Sequence, residues 1–378
     1  MSLTLLLLAC TSDKDTTDTA FAWPEATSDA IATYAEIVEA SYADSVSAAQ
    51  DLDAALEALV GGPSDATMSA ARQAWLDSRE PYLQTEVYRF YDGPIDNPED
   101  GPEGLINAWP LDEHYIDYVV DDADAGIIND TSVALDADTL VGLNEQGGEK
   151  NIATGYHAIE FLLWGQDLSD TGPGERPWTD YTTADNADRR GTYLTVTGDL
   201  LVTHLTQVHD GWTPGADYRT GFEAAPEASF EKILAGMIIL SGFETGGERL
   251  QAALDSGDSE DEHSCFSDNT HRDMIQDVQG VKNVWLGSYT RLDGSTVSGV
   301  GIKDIVEEVD VDLADRLDAR INESLSLANA LQTPFEAEIA PGSDGNARVQ
   351  ALIDSLREQE QILFEVFDTF GLSVTLPE

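Results

Sequence analysis

Asn151-Ile152-Ala153-Thr154-Gly155-Tyr156-His157-Ala158-Ile159-Glu160-Phe161-Leu162-Leu163-Trp164-Gly165 is an apolar run with two polar residues inside it, His157 and Glu160. Ile152, Ile159, Leu162 and Leu163, with Phe161 and Trp164 beside them, are dense enough for a buried helix, which Gly165 stops. The i, i+3 spacing of His157 and Glu160 stacks both side chains on one helical face. An unpaired buried charge is expensive, so the two need a partner. A bound metal is one. Bundles that hold di-iron sites project a Glu-x-x-His pair inward in this way, and here the order is reversed. The competing reading is a hydrogen-bonded core pair or an exposed pair, because such pairs are common on helices.

Helical spacing continues on both sides of this run. Ile31, Tyr34, Val38, Tyr42, Val46, Ala49, Leu52, Leu56 and Leu59 keep a 3.6-residue period, closed by Gly61-Gly62-Pro63. Ser64 is a candidate N-cap for a second helix, Asp65 to Tyr91. On it Trp75, Arg79, Tyr82, Glu86 and Arg89 share one stripe, and Pro81 should kink or restart the helix. Charge among aromatics reads either as an exposed face or as a partly buried Arg–Glu network supporting a site. The helix runs into Asp92-Gly93-Pro94-Ile95-Asp96, where both carboxylates have ordinary turn roles open to them.

Asp112 opens onto a short helix through Tyr118, and 121–148 reads as irregular. Ser169 to Ala187, rich in Pro, Gly, Asp and Thr, reads as an inter-domain loop, and 212–225 and 293–301 as further loops. Helical patterns return at 189–208, 230–254, 275–285, 309–331 and 347–370. Strands are nearly absent. The expected fold is therefore all-α, in antiparallel helical bundles with long irregular loops. The length suggests two domains, an N-terminal bundle over 25–180 and a C-terminal one over 181–378.

A second polar cluster, Glu262-His263-Ser264-Cys265-Phe266-Ser267-Asp268-Asn269-Thr270-His271-Arg272-Asp273, precedes the 275–285 helix. Ser267, Asp268 and Thr270 suit capping of that helix, and Thr270 with Asp273 is close to a capping box. Capping does not account for His263, Cys265 and His271 together. His, Cys and Asp at a helix start can bind a metal or an anion, although a structural zinc site wants more cysteines.

The chain has 19 Lys and Arg against 72 Asp and Glu, a net charge of -53. Nucleic acid is excluded as a partner, since phosphate binding needs basic patches, and anionic membrane surfaces are disfavoured for the same reason. A solvated acidic surface suited to salty surroundings explains the charge, as does a field that steers cations inward. Leu5-Leu6-Leu7-Leu8-Ala9-Cys10 ends a short apolar run, too short to span a bilayer, that is followed by acidic, Thr-rich sequence. It resembles a bacterial lipobox. On that reading 1–10 is a signal segment, Cys10 carries the lipid, 11–24 is a flexible tether, and the membrane is met only through that anchor.

Four blocks in order carry a resemblance to the imelysin (iron-regulated protein A) family: Arg79-Glu80-Pro81-Tyr82 with Glu86; Arg89-Phe90-Tyr91-Asp92-Gly93-Pro94-Ile95-Asp96; Gly155-Tyr156-His157-Ala158-Ile159-Glu160, which fits a G-x-H-x-x-E signature; and His263-Ser264-Cys265-Phe266-Ser267-Asp268-Asn269-Thr270-His271. The resemblance implies two helical-bundle domains with the signature near their interface. It implies a periplasmic or outer-membrane bacterial protein tied to iron acquisition, with an iron-uptake component of the envelope as a partner, and His157 and Glu160 as metal ligands. Glu86, with Asp96 or Asp112, would complete an oxygen-rich shell suited to iron, with zinc as the other metal. Arg79 would orient the carboxylates, and Tyr82, Arg89 and Asp92 belong to the same support. His263, Cys265, Asp268 and His271 would lie across the cleft. The alternatives are a metallopeptidase with Glu160 as general base, and a non-catalytic surface module that binds a peptide or partner.

Overall fold

The structure is a computed structural model that describes residues 21–169 and 171–372. Cys10 and the expected signal segment lie outside the described residues. Of the expected tether only 21–24 is described, and there Phe21 and Trp23 pack on Phe370, with Trp23 also on Phe230.

The long helices follow the apolar period. Helix α1 (Thr27–Gly61) buries Ile31, Tyr34, Val38, Leu52, Leu56 and Leu59 against α2 (Asp65–Leu83). Ser64 caps α2 with a reciprocal Ser64–Thr67 box. The second helix ends earlier than its pattern suggests. Pro81 lacks an N–H and crowds the turn before it, so α2 stops at Leu83 and Glu86–Tyr88 forms a separate 3-10 turn.

Helix α3 (Gly155–Trp164) is buried at every position, as a helix apolar all round should be. Helix α4 (Ala187–Trp212) packs along α1 and against α3. The 169–187 segment therefore leads back into the N-terminal bundle instead of out of it. It is tied down by Arg176 N–H to the Trp164 carbonyl and Gly174 N–H to the Phe266 carbonyl.

Helix α5 (Pro226–Ile238) runs without a break into a π-helical stretch, Ile239–Gln251. Helix α6 (Thr270–Leu286) is followed by a small hairpin, β1 (Ser288–Thr290) with β2 (Thr296–Ser298), where the sequence suggested only a loop. Helices α7 (Ile302–Val309), α8 (Val311–Ala328) and α9 (Gly345–Thr369) complete the chain. The π stretch and α8 pack on α9, and α6 packs on both α8 and α2, so α6 bridges the two bundles. One core runs from α1 to Phe370, and a second surrounds Leu250, Met274, Phe335, Val349 and Leu356.

Candidate metal centre

Helix α3 starts where only glycine fits. Gly155 has φ +87°, and a Cβ there would lie 2.5 Å from the Ile106 carbonyl oxygen. That close approach seats the first turn against 105–106, and Thr154 adds a bond from its hydroxyl to the Leu105 carbonyl. His157 and Glu160 then face the 263–269 loop, both fully buried.

His157 Nδ1 lies 2.9 Å from Glu160 Oε2. The other carboxylate oxygen, Oε1, accepts from Ser267 N–H at 3.0 Å and from Ser267 Oγ–H at 2.6 Å. Burial pushes Glu160 up to about 8, more than Ser267 and Arg79 can offset. Burial, helped by His263 and Arg79, drives His157 well below its usual value. Low dielectric penalises the charged form of each. A general base must reach a proton, and Glu160 is sealed from solvent.

A second carboxylate–imidazole pair stands beside the first. His263 Nδ1 is 2.8 Å from Asp273 Oδ2, which also accepts the Ser264 hydroxyl. The two imidazoles meet edge to face with centroids 4.9 Å apart. Trp109 covers both, at 4.8 Å from His157 and 6.5 Å from His263. Arg79 is fully buried over the rings of Trp75, Tyr82 and Tyr156. It reaches Asn107 Oδ1 and stands 3.6 Å from Asp273, so its support passes through the His263 pair.

Glu86 belongs to a buried ion network. Its Oε2 accepts from Arg89 at 2.8 Å and from Arg249 at 2.5 Å. Arg249 also pairs with Asp277 at 2.9 Å and Glu244 at 3.0 Å. Burial would raise the Glu86 pKa, but the two arginines outweigh it and hold Glu86 well below the usual carboxylate range. Arg89, Glu103, Trp109, Glu244, Arg249 and His263 line a cleft of about 410 Å³ above the paired imidazoles. The Arg–Glu reading of the α2 stripe thus holds, with the exposed-face reading overturned: Arg79 and Glu86 are sealed.

Other expected site residues lie elsewhere. Asp96 accepts the backbone N–H groups of Phe90, Tyr91 and Gly93 and so folds the turn. Asp112 caps the Glu113–Ile116 turn through His114 N–H and is close to half exposed. Among the described residues, no hydrogen bond or ion pair links Asp96 or Asp112 to His157 or Glu160. Asp92 is exposed at a positive φ in the same turn as Asp96. Cys265 is a buried free thiol whose pKa burial pushes up. His271 is half-buried, with Nδ1 at 3.2 Å from the Asp268 carbonyl. Asp268 faces a different cluster.

The capping expectation at α6 is corrected. Asn269 occupies the N-cap without a side-chain capping bond, its amide donating instead to Asp273 Oδ1; Thr270 Oγ1 accepts from Ser264 N–H, and Ser267 and Asp273 serve Glu160 and His263. Tertiary partners outcompete the local cap because each satisfies a fully buried group. Sequence reasoning missed Trp109, Arg249, Asp273 as a histidine partner, and Asp277. One signal existed: Asp273 and Asp277 sit four apart on the apolar face of Met274, Val278 and Val281.

These donors fit a metal. His157 Nε2 is buried without a hydrogen-bond partner. In both pairs a carboxylate holds Nδ1, the arrangement that fixes the tautomer of a metal-binding histidine and leaves Nε2 as the donor. Imidazole nitrogen with carboxylate oxygen suits iron or zinc. Among the described residues, the group of three or more such donors converging within 4.8 Å does not include His157 or Glu160.

Comparison with known proteins gives a consistent picture. The peptidase M75 family model, described as imelysin, matches residues 38–363. Iron-regulated protein A of Synechococcus elongatus is 25% identical over 315 residues, covering 81% of this chain and 76% of the relative. A crystal structure described as an iron-regulated protein A precursor from Parabacteroides distasonis superposes with a TM-score of 0.72 at 18% identity, over 93% of this chain and 97% of that one. An imelysin-like protein from Psychrobacter arcticus gives 0.67 at 14% identity, over 94% and 99%. The two structures share the fold.

Proposed function

We propose, from the premise that this chain belongs to the imelysin family, that it binds iron at His157 and Glu160 and serves iron acquisition at the bacterial envelope. The observation that carries the reading is the orphaned Nε2 of His157, fully buried beside His263. The name of the Synechococcus relative supports iron as the metal. His157 would supply Nε2, with Glu160 orienting the ring through Nδ1. His263 and Asp273 would form the facing wall, and Trp109 would exclude water. When bound, the ion would supply Lewis acidity. Export with lipidation at Cys10 belongs to the same proposal, and no helix among the described residues is long and apolar enough to cross a membrane.

Calorimetric titration with ferrous and with ferric iron tests the reading. Wild type should bind about one equivalent, and His157→Ala should weaken binding by about ten- to a hundredfold. Equal affinities would remove His157 from the site. A metallopeptidase reading predicts cleavage of a denatured polypeptide by the iron-loaded protein that Glu160→Gln abolishes.

A further inference from the structure

A second group of buried acids lies on the other side of the 263–269 loop. Asp167 follows α3, Asp268 sits in the loop, and Glu336 opens the Glu336–Ile339 turn that packs on α9. One ligand oxygen from each comes within 4.8 Å of the other two. All three are nine-tenths buried or more. Oxygens around one calcium ion sit at 2.3–2.6 Å from it and so lie within about 5 Å of each other; this spacing fits.

Glu262 gives an independent observation. It is fully buried, and neither of its oxygens has a hydrogen-bond partner. The Thr270 hydroxyl is near enough to ease it slightly but not in bonding geometry, and the charges that act on it are Glu336, Asp268 and Asp167. Both oxygens of Glu336 and Oδ1 of Asp268 are buried as well, with neighbouring carboxyl groups as their side-chain partners. Among the described residues, no Lys or Arg stands within ion-pair distance of Glu262, Asp268 or Glu336, although other buried acids such as Glu86 and Asp117 have arginines. Burial pushes Asp268 up to about 6 and Glu336 to about 7, only partly eased by hydrogen bonding, with the neighbouring carboxylates adding repulsion.

We propose that Asp167, Asp268 and Glu336, with Glu262 behind them, bind a hard divalent cation of the calcium class, which pins the end of α3 and the 263–269 loop to the C-terminal bundle. The donor set is all carboxylate oxygen, which selects calcium over softer metals. The role goes beyond iron: Asp268 adjoins Ser267, which holds Glu160, so the cation fixes the loop on which the paired imidazoles depend.

The test uses the full chain stripped with chelator and titrated with calcium chloride at constant ionic strength, read by calorimetry and by melting temperature. Wild type should show one saturable event and a rise in melting temperature. Asp268→Asn with Glu336→Gln should weaken binding at least about tenfold; asparagine tolerates the positive φ of residue 268. Glu336→Gln alone serves if the double variant does not fold. His157→Ala should keep the calcium response, which separates this site from the iron site. No saturable heat, or the same rise in the variants as in wild type through general screening of an acidic protein, overturns the proposal.

Discussion

Buried carboxylates in two parts of the molecule meet opposite surroundings. Glu86 and Asp277 share Arg249, with Arg89 on Glu86 as well; Asp117 is clasped by Arg176 at 2.7 Å and Arg190 at 2.6 Å. Glu262, Asp268 and Glu336 have no such arginine. The chain has few basic residues, and several of its arginines are sunk beside interior acids. An interior charge without a counter-charge shifts its pKa or recruits one from solution. The difference teaches that scarcity of cations on a -53 chain is managed by location: arginine at one cluster, and a dissolved cation at the other.

The contrast can be broken from the arginine side with the largest effect. Arg249→Met strands Asp277 and leaves Glu86 to Arg89 alone, and should cost about 3–5 kcal/mol in urea unfolding. The same logic predicts the opposite sign at the other cluster. Glu262→Gln with Glu336→Gln removes uncompensated acids and should stabilise the chelated protein by about 1–2 kcal/mol at pH 7. With excess calcium the ranking should reverse, wild type becoming the more stable; an unchanged ranking in both media would erase the contrast.

Between the clusters, Ser267→Ala removes the hydroxyl that Glu160 accepts and should cost about 1 kcal/mol by chemical denaturation. The smallest effect is at Asp53, a half-buried acid of α1 that is raised to about 6 by burial and by Asp199 and Glu57. Because its folded pKa is the higher one, the native state holds the proton longer. Its contribution is thus favourable below the unfolded value near 4 and is lost as pH rises to about 6. Melting temperatures at pH 4 and 7 should differ less in Asp53→Asn than in wild type, and salt should shrink the gap further.

Much of this could be read from residues in a row. The helix period from Ile31 to Leu59, the Ser64 cap, the burial of the His157 helix and the Arg79–Glu86 stripe all rest on interactions within a few residues. Other features could not. Helix α2 ends early because Pro81 acts together with the chain's need to turn toward Glu86. Asp96 and Asp112 looked like ligands by residue type, yet nearby backbone N–H groups claim them. The π-helical register of 239–251, which brings Arg249 to Glu86, has no periodic signature in sequence.

The sequence by itself determined the helices, the acidity and the placement of an imidazole and a carboxylate on one apolar face, because each follows from local spacing and composition. Only the tertiary structure decided that Glu160 grips His157 and Ser267, that His263 leans on Asp273, and that Glu262, Asp268 and Glu336 gather in one buried cluster. Those outcomes depend on which segments far apart in the chain share a low-dielectric interior, where every charge must find a partner or change its state.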